Sequence, residues 1–132
     1  MSNIVVITNN DVVQTKYSEK LTINYLDGAT LLQTLEHARD MIHQGHRLLT
    51  HPLSGSVKPN DTPYKTIVVS SKRGALDYSG LNVIEEGIES TKKFINDRST
   101  PMWTDKVKAD FKLVDCTIIS TAIQSMDGKF VG

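Results

Sequence analysis

The sequence lacks an excess of either charge and has almost no cysteine, and each shortage excludes a class of protein. Fifteen Lys and Arg residues balance fifteen Asp and Glu residues. Nucleic-acid-binding proteins usually carry a basic excess, because neutralising phosphates supplies much of their affinity, so we do not expect nucleic acid as a partner. The single cysteine, Cys116, cannot form an internal disulfide, which is typical of a reducing compartment.

Long apolar runs are also missing. No segment reaches the roughly 20 apolar residues of a membrane span. The start, Met1-Ser2-Asn3, has no positively charged region of the kind that opens a signal peptide. We therefore expect a cytoplasmic protein that does not cross a membrane. The 132 residues fit a single domain, residues 1–132, without internal repeats, low-complexity tracts or linkers.

Short apolar runs alternate with helical patterns along the chain. Residues 4–7 and 67–69 are continuous and apolar, as in strands covered on both faces, which is the habit of parallel sheets. Further candidate strands are residues 21–25, 47–50 and 111–114. The alternation predicts an α/β fold: a small three-layer α/β/α domain with a mostly parallel, four- or five-stranded, Rossmann-like sheet.

Several helix ends can be located from single residues. Thr30 and Gln33 form a capping box at the start of one helix, and Gly45 is a suitable stop for it. Residues 96–105 are polar and predict a surface loop, and Asp115 is the expected N-cap of a last helix. Near the start of the chain, Asn9, Asn10 or Asp11 can cap a short helix.

Ligands of open parallel sheets bind beyond the carboxyl ends of the strands. Four loops leave those ends in the predicted fold, at residues 8–10, 27–28, 51–64 and 70–73, and we expect them to meet along one rim. The candidate ligand-binding residues in these loops are Asn9, Asn10, His51, Ser54, Gly55, Ser56, Lys58, Lys72 and Arg73.

The Ser54-Gly55-Ser56 turn is the most distinctive part of this rim. Its backbone N–H groups and hydroxyls, together with Lys58, can present donors to an anion, and Arg73 could grip a carboxylate or phosphate with two parallel bonds. A solvent-exposed turn is the competing interpretation, because Gly and Ser form turns for reasons of backbone alone. The spacing around Lys58 is not that of a Walker phosphate-binding loop.

The histidines do not have the spacing of a metal site, and no metal or other cofactor is expected. His43 and His46 are separated by a helix end, so they lack the rigid geometry of a pair on one helix face. His51, beside Pro52 at a predicted strand end, is the better candidate for a general acid/base or a ligand contact.

The middle of the chain carries the run Gly45-His46-Arg47-Leu48-Leu49-Thr50-His51-Pro52-Leu53-Ser54-Gly55-Ser56-Val57-Lys58-Pro59-Asn60-Asp61-Thr62-Pro63-Tyr64-Lys65. This run resembles the signature of the GrdX family, small proteins from the glycine reductase gene clusters of amino-acid-fermenting anaerobic bacteria. The likeness extends over residues 4–94 and, more loosely, 115–123. The resemblance implies an accessory role, because the chain has no selenocysteine, pyruvoyl precursor site or redox pair like those of the catalytic components.

Two functions and a structural alternative follow. The first is an accessory or regulatory protein of the glycine reductase system that binds a reductase component, or a small anionic or phosphorylated metabolite, through the 51–65 loop. The second is a small enzyme acting on a phosphorylated or acyl compound, with His51 as acid/base and Lys58 and Arg73 as an anion clamp. In the third, the loop only packs over the sheet. The oligomeric state cannot be read from the sequence.

Overall fold

The computed structural model describes residues 3–51, 62–97 and 103–126 of the chain. Within these ranges the strands are β1 (Ile4–Thr8), β2 (Thr22–Tyr25) and β3 (Thr66–Ser70). The helices are α1 (Asp11–Tyr17), α2 (Leu31–His43), α3 (Tyr78–Asp97) and α4 (Asp105–Met126). This order confirms the α/β class, but the described chain ends with two consecutive helices.

The sheet has the strand order β2-β1-β3 and mixes two orientations. β1 runs parallel to β2 and antiparallel to β3, so that Thr8 at the end of β1 faces Tyr25 on one side and Thr66 on the other. We call this end of the sheet the upper edge, and the end where Ile4 faces Ser70 the lower edge. The prediction of a mostly parallel, four- or five-stranded, Rossmann-like sheet is therefore wrong.

The direction of β3 is the physical reason for this error. Ile67, Val68 and Val69 are completely buried, because helices cover both faces of the sheet. A continuous apolar run reports that burial, and an antiparallel strand between two layers of helices produces the same pattern as a parallel one. The sequence pattern therefore identified the strand but carried no information about its direction.

Alternate side chains of the strands enter two separate cores. One core lies between the sheet and helices α2 and α3, and its buried members are Val5, Ile7, Leu35, Ala38, Ile42, Ile67, Val69, Ile84 and Ile88. The other lies between the sheet and helices α1 and α4, and its buried members are Ile4, Val6, Val13, Val68, Cys116, Ile119, Ile123 and Met126. The free thiol of Cys116 is thus part of the packing of the second core.

The predicted strand at residues 47–50 is reduced to a single bridge. Leu48 pairs antiparallel with Val69, and the Leu49 N–H donates to the Val68 carbonyl over 2.9 Å. The Thr50 hydroxyl accepts from the Val68 N–H at 3.0 Å. Because this segment runs against β3, it leads from the lower edge toward the upper edge.

Helix α4 overturns two predictions for the end of the chain. Residues 111–114 are helical instead of extended, and Asp115 lies in the middle of the helix instead of capping it. The helix begins after Thr104, whose hydroxyl accepts from the Val107 N–H at 3.2 Å. Among the helices of the described ranges, none combines the length and the hydropathy that a bilayer span requires.

The capping box of α2 is confirmed. The Thr30 hydroxyl accepts from the Gln33 N–H, and the Gln33 side chain accepts from the Thr30 N–H. Gly45, just beyond the end of this helix, has a φ of 106°. A side chain at Gly45 would place its Cβ only 2.6 Å from the Gly74 carbonyl oxygen, so both the backbone conformation and the space require glycine.

Candidate functional site

A cavity of about 730 Å³ opens at the upper edge of the sheet. It is bounded by the end of β1, the β2–α2 loop, residues 62–64, the end of α3 and the start of α4. The described residues that line it are Asn9, Asp11, Tyr25, Asp27, Gly28, Ala29, Thr30, Leu31, Leu32, Thr62, Pro63, Tyr64, Ile95, Trp103, Lys108 and Lys112. Ligand cavities commonly measure roughly 300–1,000 Å³, so this cavity can hold a small organic molecule.

Asn9 holds three walls of the cavity together. Its side-chain N–H₂ donates to the carbonyls of Ala29 and Pro63, each at 2.9 Å, and its side-chain oxygen accepts from the Lys65 N–H at 2.9 Å. Asn9 is almost completely buried. Both ends of the amide are engaged in these bonds, so the structure uses Asn9 to position the walls.

Asn10 lies behind the cavity, outside its lining. Its side-chain oxygen accepts from the Val12 N–H at 3.0 Å, which makes it the N-cap of α1. Its N–H₂ group donates to the Lys112 carbonyl at 2.9 Å and to Asp115 Oδ2 at 3.0 Å. Asn10 therefore joins the start of α1 to α4, the helix that carries one wall of the cavity.

A buried chain of hydroxyls ends on the carboxyl group of Asp115. Thr66 Oγ1 donates to Asp115 Oδ2 at 2.7 Å, and Thr8 Oγ1 lies 2.7 Å from Thr66 Oγ1. Because the Thr66 proton is used toward Asp115, Thr8 must donate to Thr66, and Thr8 in turn accepts from the Asn10 N–H at 3.0 Å. The three side chains of Thr8, Thr66 and Asp115 thus link β1, β3 and α4.

Burial opposes charge in this network. It raises the pKa of the Asp115 carboxyl above its ordinary value, while the hydrogen bonds from Asn10 and Thr66 and the positive charge of Lys65 act in the opposite direction. Burial also lowers the pKa of Lys65, and the attraction of Asp115 partly offsets that effect. Each group thus favours the charged form of the other, whereas burial favours the neutral form of both.

Lys112 is already paired inside the cavity. Its ammonium group lies 2.9 Å from Asp11 Oδ1 and 5.5 Å from the centroid of the Tyr64 ring. The hydrogen bond to Asp11 raises the pKa of Lys112. Lys108, one helical turn earlier, has no ionic partner among the residues that the structure describes.

The loop between β2 and α2 brings a carboxylate, Asp27, to the cavity. The Tyr25 hydroxyl donates to Asp27 Oδ1 at 3.2 Å. Burial and this contact with Asp27 raise the pKa of Tyr25, so the phenol stays protonated and continues to act as the donor. The described part of the chain offers Asp27 no cationic partner.

Trp103 closes the cavity from the segment before α4. Its indole ring packs edge-to-face on Phe111, with the ring centroids 5.7 Å apart and the planes at 88°. This contact anchors Trp103 to the first turns of the helix that carries both lysines. Ile95, from the end of α3, also lines the cavity, and 43% of its surface is exposed.

Lys72 and Arg73 lie at the lower edge, far from Asn9. They directly follow β3, which runs against β1, and both are exposed. The expectation that all the candidate loops share one rim is therefore wrong. Around them the lower edge is closed by backbone contacts, since the Gly74 N–H donates to the Gly45 carbonyl at 3.0 Å.

The remaining predicted residues have different outcomes. His51 follows the segment that leads toward the upper edge, and it is exposed and absent from the cavity lining. Ser54, Gly55, Ser56 and Lys58 lie outside the described residues, so their predicted role in ligand binding stays a prediction.

The histidines near the end of α2 have no metal geometry. His46 is buried, and its Nδ1–H donates to the Ser70 carbonyl at 2.7 Å. His43 is exposed on the last turn of α2. In the described ranges, no three His, Cys, Asp or Glu side chains are grouped to hold a metal ion.

The sequence analysis missed the lysines of α4. Thr104 carries the N-cap signal that marks the start of this helix, and Lys108 and Lys112 then fall four residues apart on one face of it. Had the helix been started at Thr104, Asp115 would have fallen on its apolar stripe, together with Ile119 and Ile123. No local pattern, however, places α4 beside the end of β1.

These features define a small α/β protein with a three-stranded mixed sheet, covered by helices on both faces, and a cavity with charged walls at one edge. A family model described as GrdX-like protein matches residues 5–124. The chain belongs to this family, which confirms the resemblance seen in its central run. No curated protein and no solved structure matches the chain.

Proposed function

We propose that the protein is an accessory protein of the glycine reductase system and that it binds a small molecule with an anionic group in the upper-edge cavity. Membership of the GrdX-like family supports the association with glycine reductase. The cytoplasmic location and any contact with reductase components stay predictions.

The observation that carries the binding proposal is Lys108 on the cavity wall. Lys108 and Lys112 lie four residues apart on α4, where like charges destabilise a helix unless they are compensated. Asp11 compensates Lys112 over 2.9 Å, whereas Lys108 has no such partner in the described chain. An anionic group of a ligand would supply the missing charge.

The cavity shape favours a small molecule over a flat protein surface as the ligand. The walls form a concave space lined by apolar side chains and by a few polar groups, which is the usual composition of a ligand site. Asn9 fixes these walls through hydrogen bonds to Ala29, Pro63 and Lys65, so the space is formed before a ligand arrives. Residues 62–64, at the end of the predicted 51–65 binding loop, contribute to one wall.

The enzymatic alternative gains no support from the described residues. It requires His51 to act on a substrate in a pocket, but His51 is exposed and does not line the cavity. The accessory role is therefore the one that we carry forward.

The test is a thermal-shift and calorimetry screen of the full chain with acetyl phosphate, inorganic phosphate and 3-phenylpropionate. A ligand that binds the native state raises the unfolding midpoint. We expect at least one of these anions to raise Tm, and we expect Lys108→Gln to weaken its binding by about tenfold, as for loss of one charged hydrogen bond.

Lys93→Gln is the matched control, because Lys93 is exposed on α3 and lies outside the cavity lining. It should bind the same anion as tightly as the wild type. The proposal would be overturned if neither an anion of this series nor phenylalanine, which also carries a carboxylate, raised Tm, or if Lys108→Gln and Lys93→Gln bound the ligand equally well.

A further inference from the structure

The charged side chains that the described part of the chain contributes to the cavity walls add up to zero. Two lysines and two aspartates line the cavity, and one of each sign, Lys112 and Asp11, form an ion pair with each other. The other two, Lys108 and Asp27, have no ionic partner in the described part of the chain. From residues 3–51, 62–97 and 103–126, the cavity therefore receives one positive and one negative charge without an ionic partner.

These two charges come from different walls. Asp27 belongs to the loop between β2 and α2, and Lys108 belongs to the beginning of α4. A purely anionic ligand would be attracted by Lys108 and repelled by Asp27 within the same cavity, and a purely cationic ligand would meet the reverse arrangement. A ligand with both charges can satisfy both walls.

The surroundings of Asp27 suit an ammonium group. The Tyr25 hydroxyl donates to one carboxylate oxygen of Asp27 at 3.2 Å, which orients the carboxylate and leaves its other oxygen available. The aromatic ring of Tyr25 also lines the cavity, and aromatic faces attract ammonium groups.

The apolar wall indicates the body of the ligand. Leu31, Leu32, Ile95 and Trp103 supply the apolar part of the lining. A ligand as small as glycine would leave this surface in contact with water, whereas a bulky apolar side chain would cover it and gain the corresponding hydrophobic free energy.

We propose that the cavity binds a zwitterion, an α-amino acid or short peptide with a bulky apolar side chain. Its ammonium group lies against Asp27 and Tyr25, its carboxylate lies against Lys108, and its side chain covers Leu31, Leu32 and Trp103. The inference rests on the proposed function, because it assumes that the cavity is the ligand site and specifies what enters it.

The test uses the only tryptophan of the chain as its reporter. Trp103 lines the cavity, so a bound ligand changes its fluorescence directly. The matched ligands are phenylalanine, 3-phenylpropionate, which lacks the ammonium group, phenethylamine, which lacks the carboxylate, and glycine, which lacks the apolar body. We expect phenylalanine to bind the wild type about tenfold or more tightly than any of the other three.

Two variants test which side chain contacts which charged group of the ligand. Asp27→Asn should remove the preference for phenylalanine over 3-phenylpropionate but keep the preference over phenethylamine. Lys108→Gln should remove the preference for phenylalanine over phenethylamine but keep the preference over 3-phenylpropionate. Asp110→Asn and Lys93→Gln, at exposed positions outside the cavity lining, serve as controls and should keep both preferences.

Failure of this inference can be distinguished from failure of the proposed function. If 3-phenylpropionate binds through Lys108 and phenylalanine binds no better, the cavity is an anion site and the zwitterion inference is wrong while the proposed function stands. If neither these ligands nor the phosphates bind, both are wrong. If Asp27→Asn leaves the discrimination unchanged, the ammonium group does not contact Asp27 and the inference also fails.

Discussion

The two edges of the sheet use polar side chains in different ways. At the lower edge they satisfy backbone groups: His46 donates to the Ser70 carbonyl at 2.7 Å, and the Asp77 carboxylate accepts from the N–H groups of Leu48 at 3.0 Å and Gly80 at 2.9 Å. At the upper edge Asn9 and Asn10 also satisfy backbone groups, but there the polar side chains in addition bury a carboxyl group, Asp115, and leave charged side chains around an open cavity.

This difference separates stability from binding within one small fold. At the lower edge the backbone at Gly45 lies so close to Gly74 that no side chain fits there, although a Cβ at Gly74 itself would meet no atom within 4 Å. The upper edge has a buried polar network as its floor and exposed charges above it. The following variants test this separation, from the largest expected effect to the smallest.

Gly45→Ala at the lower edge should cost the most stability. Alanine disfavours the positive φ of 106°, and its Cβ would lie 2.6 Å from the Gly74 carbonyl oxygen. We expect a loss of about 3 kcal/mol in the free energy of unfolding, measured by urea denaturation. Gly28→Ala is the control at the upper edge, where φ is 74° but no atom lies within 4 Å of the added Cβ, and it should cost about 1 kcal/mol. Equal losses at the two positions would contradict the close packing of the lower edge.

Thr66→Val should cost about 2 kcal/mol, because it removes the hydroxyl that donates to the buried Asp115 carboxyl at 2.7 Å. Valine keeps the shape and β-branching of threonine, so the loss reports mainly the hydrogen bonds. Thr15→Val, at an exposed position on α1, should change the unfolding free energy by no more than about 0.5 kcal/mol. If both variants unfold at the same urea concentration, the hydroxyl chain does not stabilise the fold.

Asp115→Asn should cost about 1 kcal/mol near pH 4, because the amide oxygen can still accept from Thr66. Burial raises the folded-state pKa of Asp115 above its ordinary value of 3.8, so the folded state binds this proton more tightly than the unfolded state. The stabilisation from this proton is complete below the unfolded-state pKa and is lost as the pH rises through the folded-state pKa.

The difference between wild type and Asp115→Asn should therefore shrink as the pH rises from 4 to 8 in a series of urea titrations. Thr15→Val keeps the carboxyl and should retain the pH dependence of the wild type. A difference that instead grows toward pH 8 would show that the fold favours the charged carboxylate.

Lys112→Gln should have the smallest effect on stability. The Lys112–Asp11 pair is partly exposed, with 27% and 54% of the side-chain surfaces accessible, and such pairs contribute about 0.5 kcal/mol or less. The loss in the free energy of unfolding can be measured by calorimetric or chemical unfolding, with Lys93→Gln as the control. A loss of several kcal/mol would mean that the charged wall of the cavity is structural, and the separation between the two edges would then fail.

The parts of the fold that were predictable depend on local chemistry. The Thr30–Gln33 capping box and the helix stop at Gly45 follow from contacts within a few residues, and both are present. The direction of β3 was not predictable, because a strand buried on both faces has the same apolar run in either direction. The wrong direction then placed Lys72 and Arg73 at the wrong edge.

The site was predictable only where it adjoins the strands. Asn9 was located because it directly follows β1, and it does line the cavity. Lys108 and Lys112 come from a helix about a hundred residues further along the chain, and their approach to Asn9 depends on tertiary packing. Asp115 was taken for a cap because aspartate is common at helix starts, whereas in α4 it lies at the beginning of the buried stripe that continues with Ile119 and Ile123.

The antiparallel course of β3 has a consequence for how the chain can vary. Thr50 and Val68 are joined by a hydrogen bond of 3.0 Å, so the chain leaves the sheet after residue 50 and returns to it at Thr66 on the same side of the molecule. A connection with neighbouring ends adds only about 0.6 kcal/mol of closure entropy when its length doubles. Changes of chain length between these two points can therefore be accommodated while the strands keep their register.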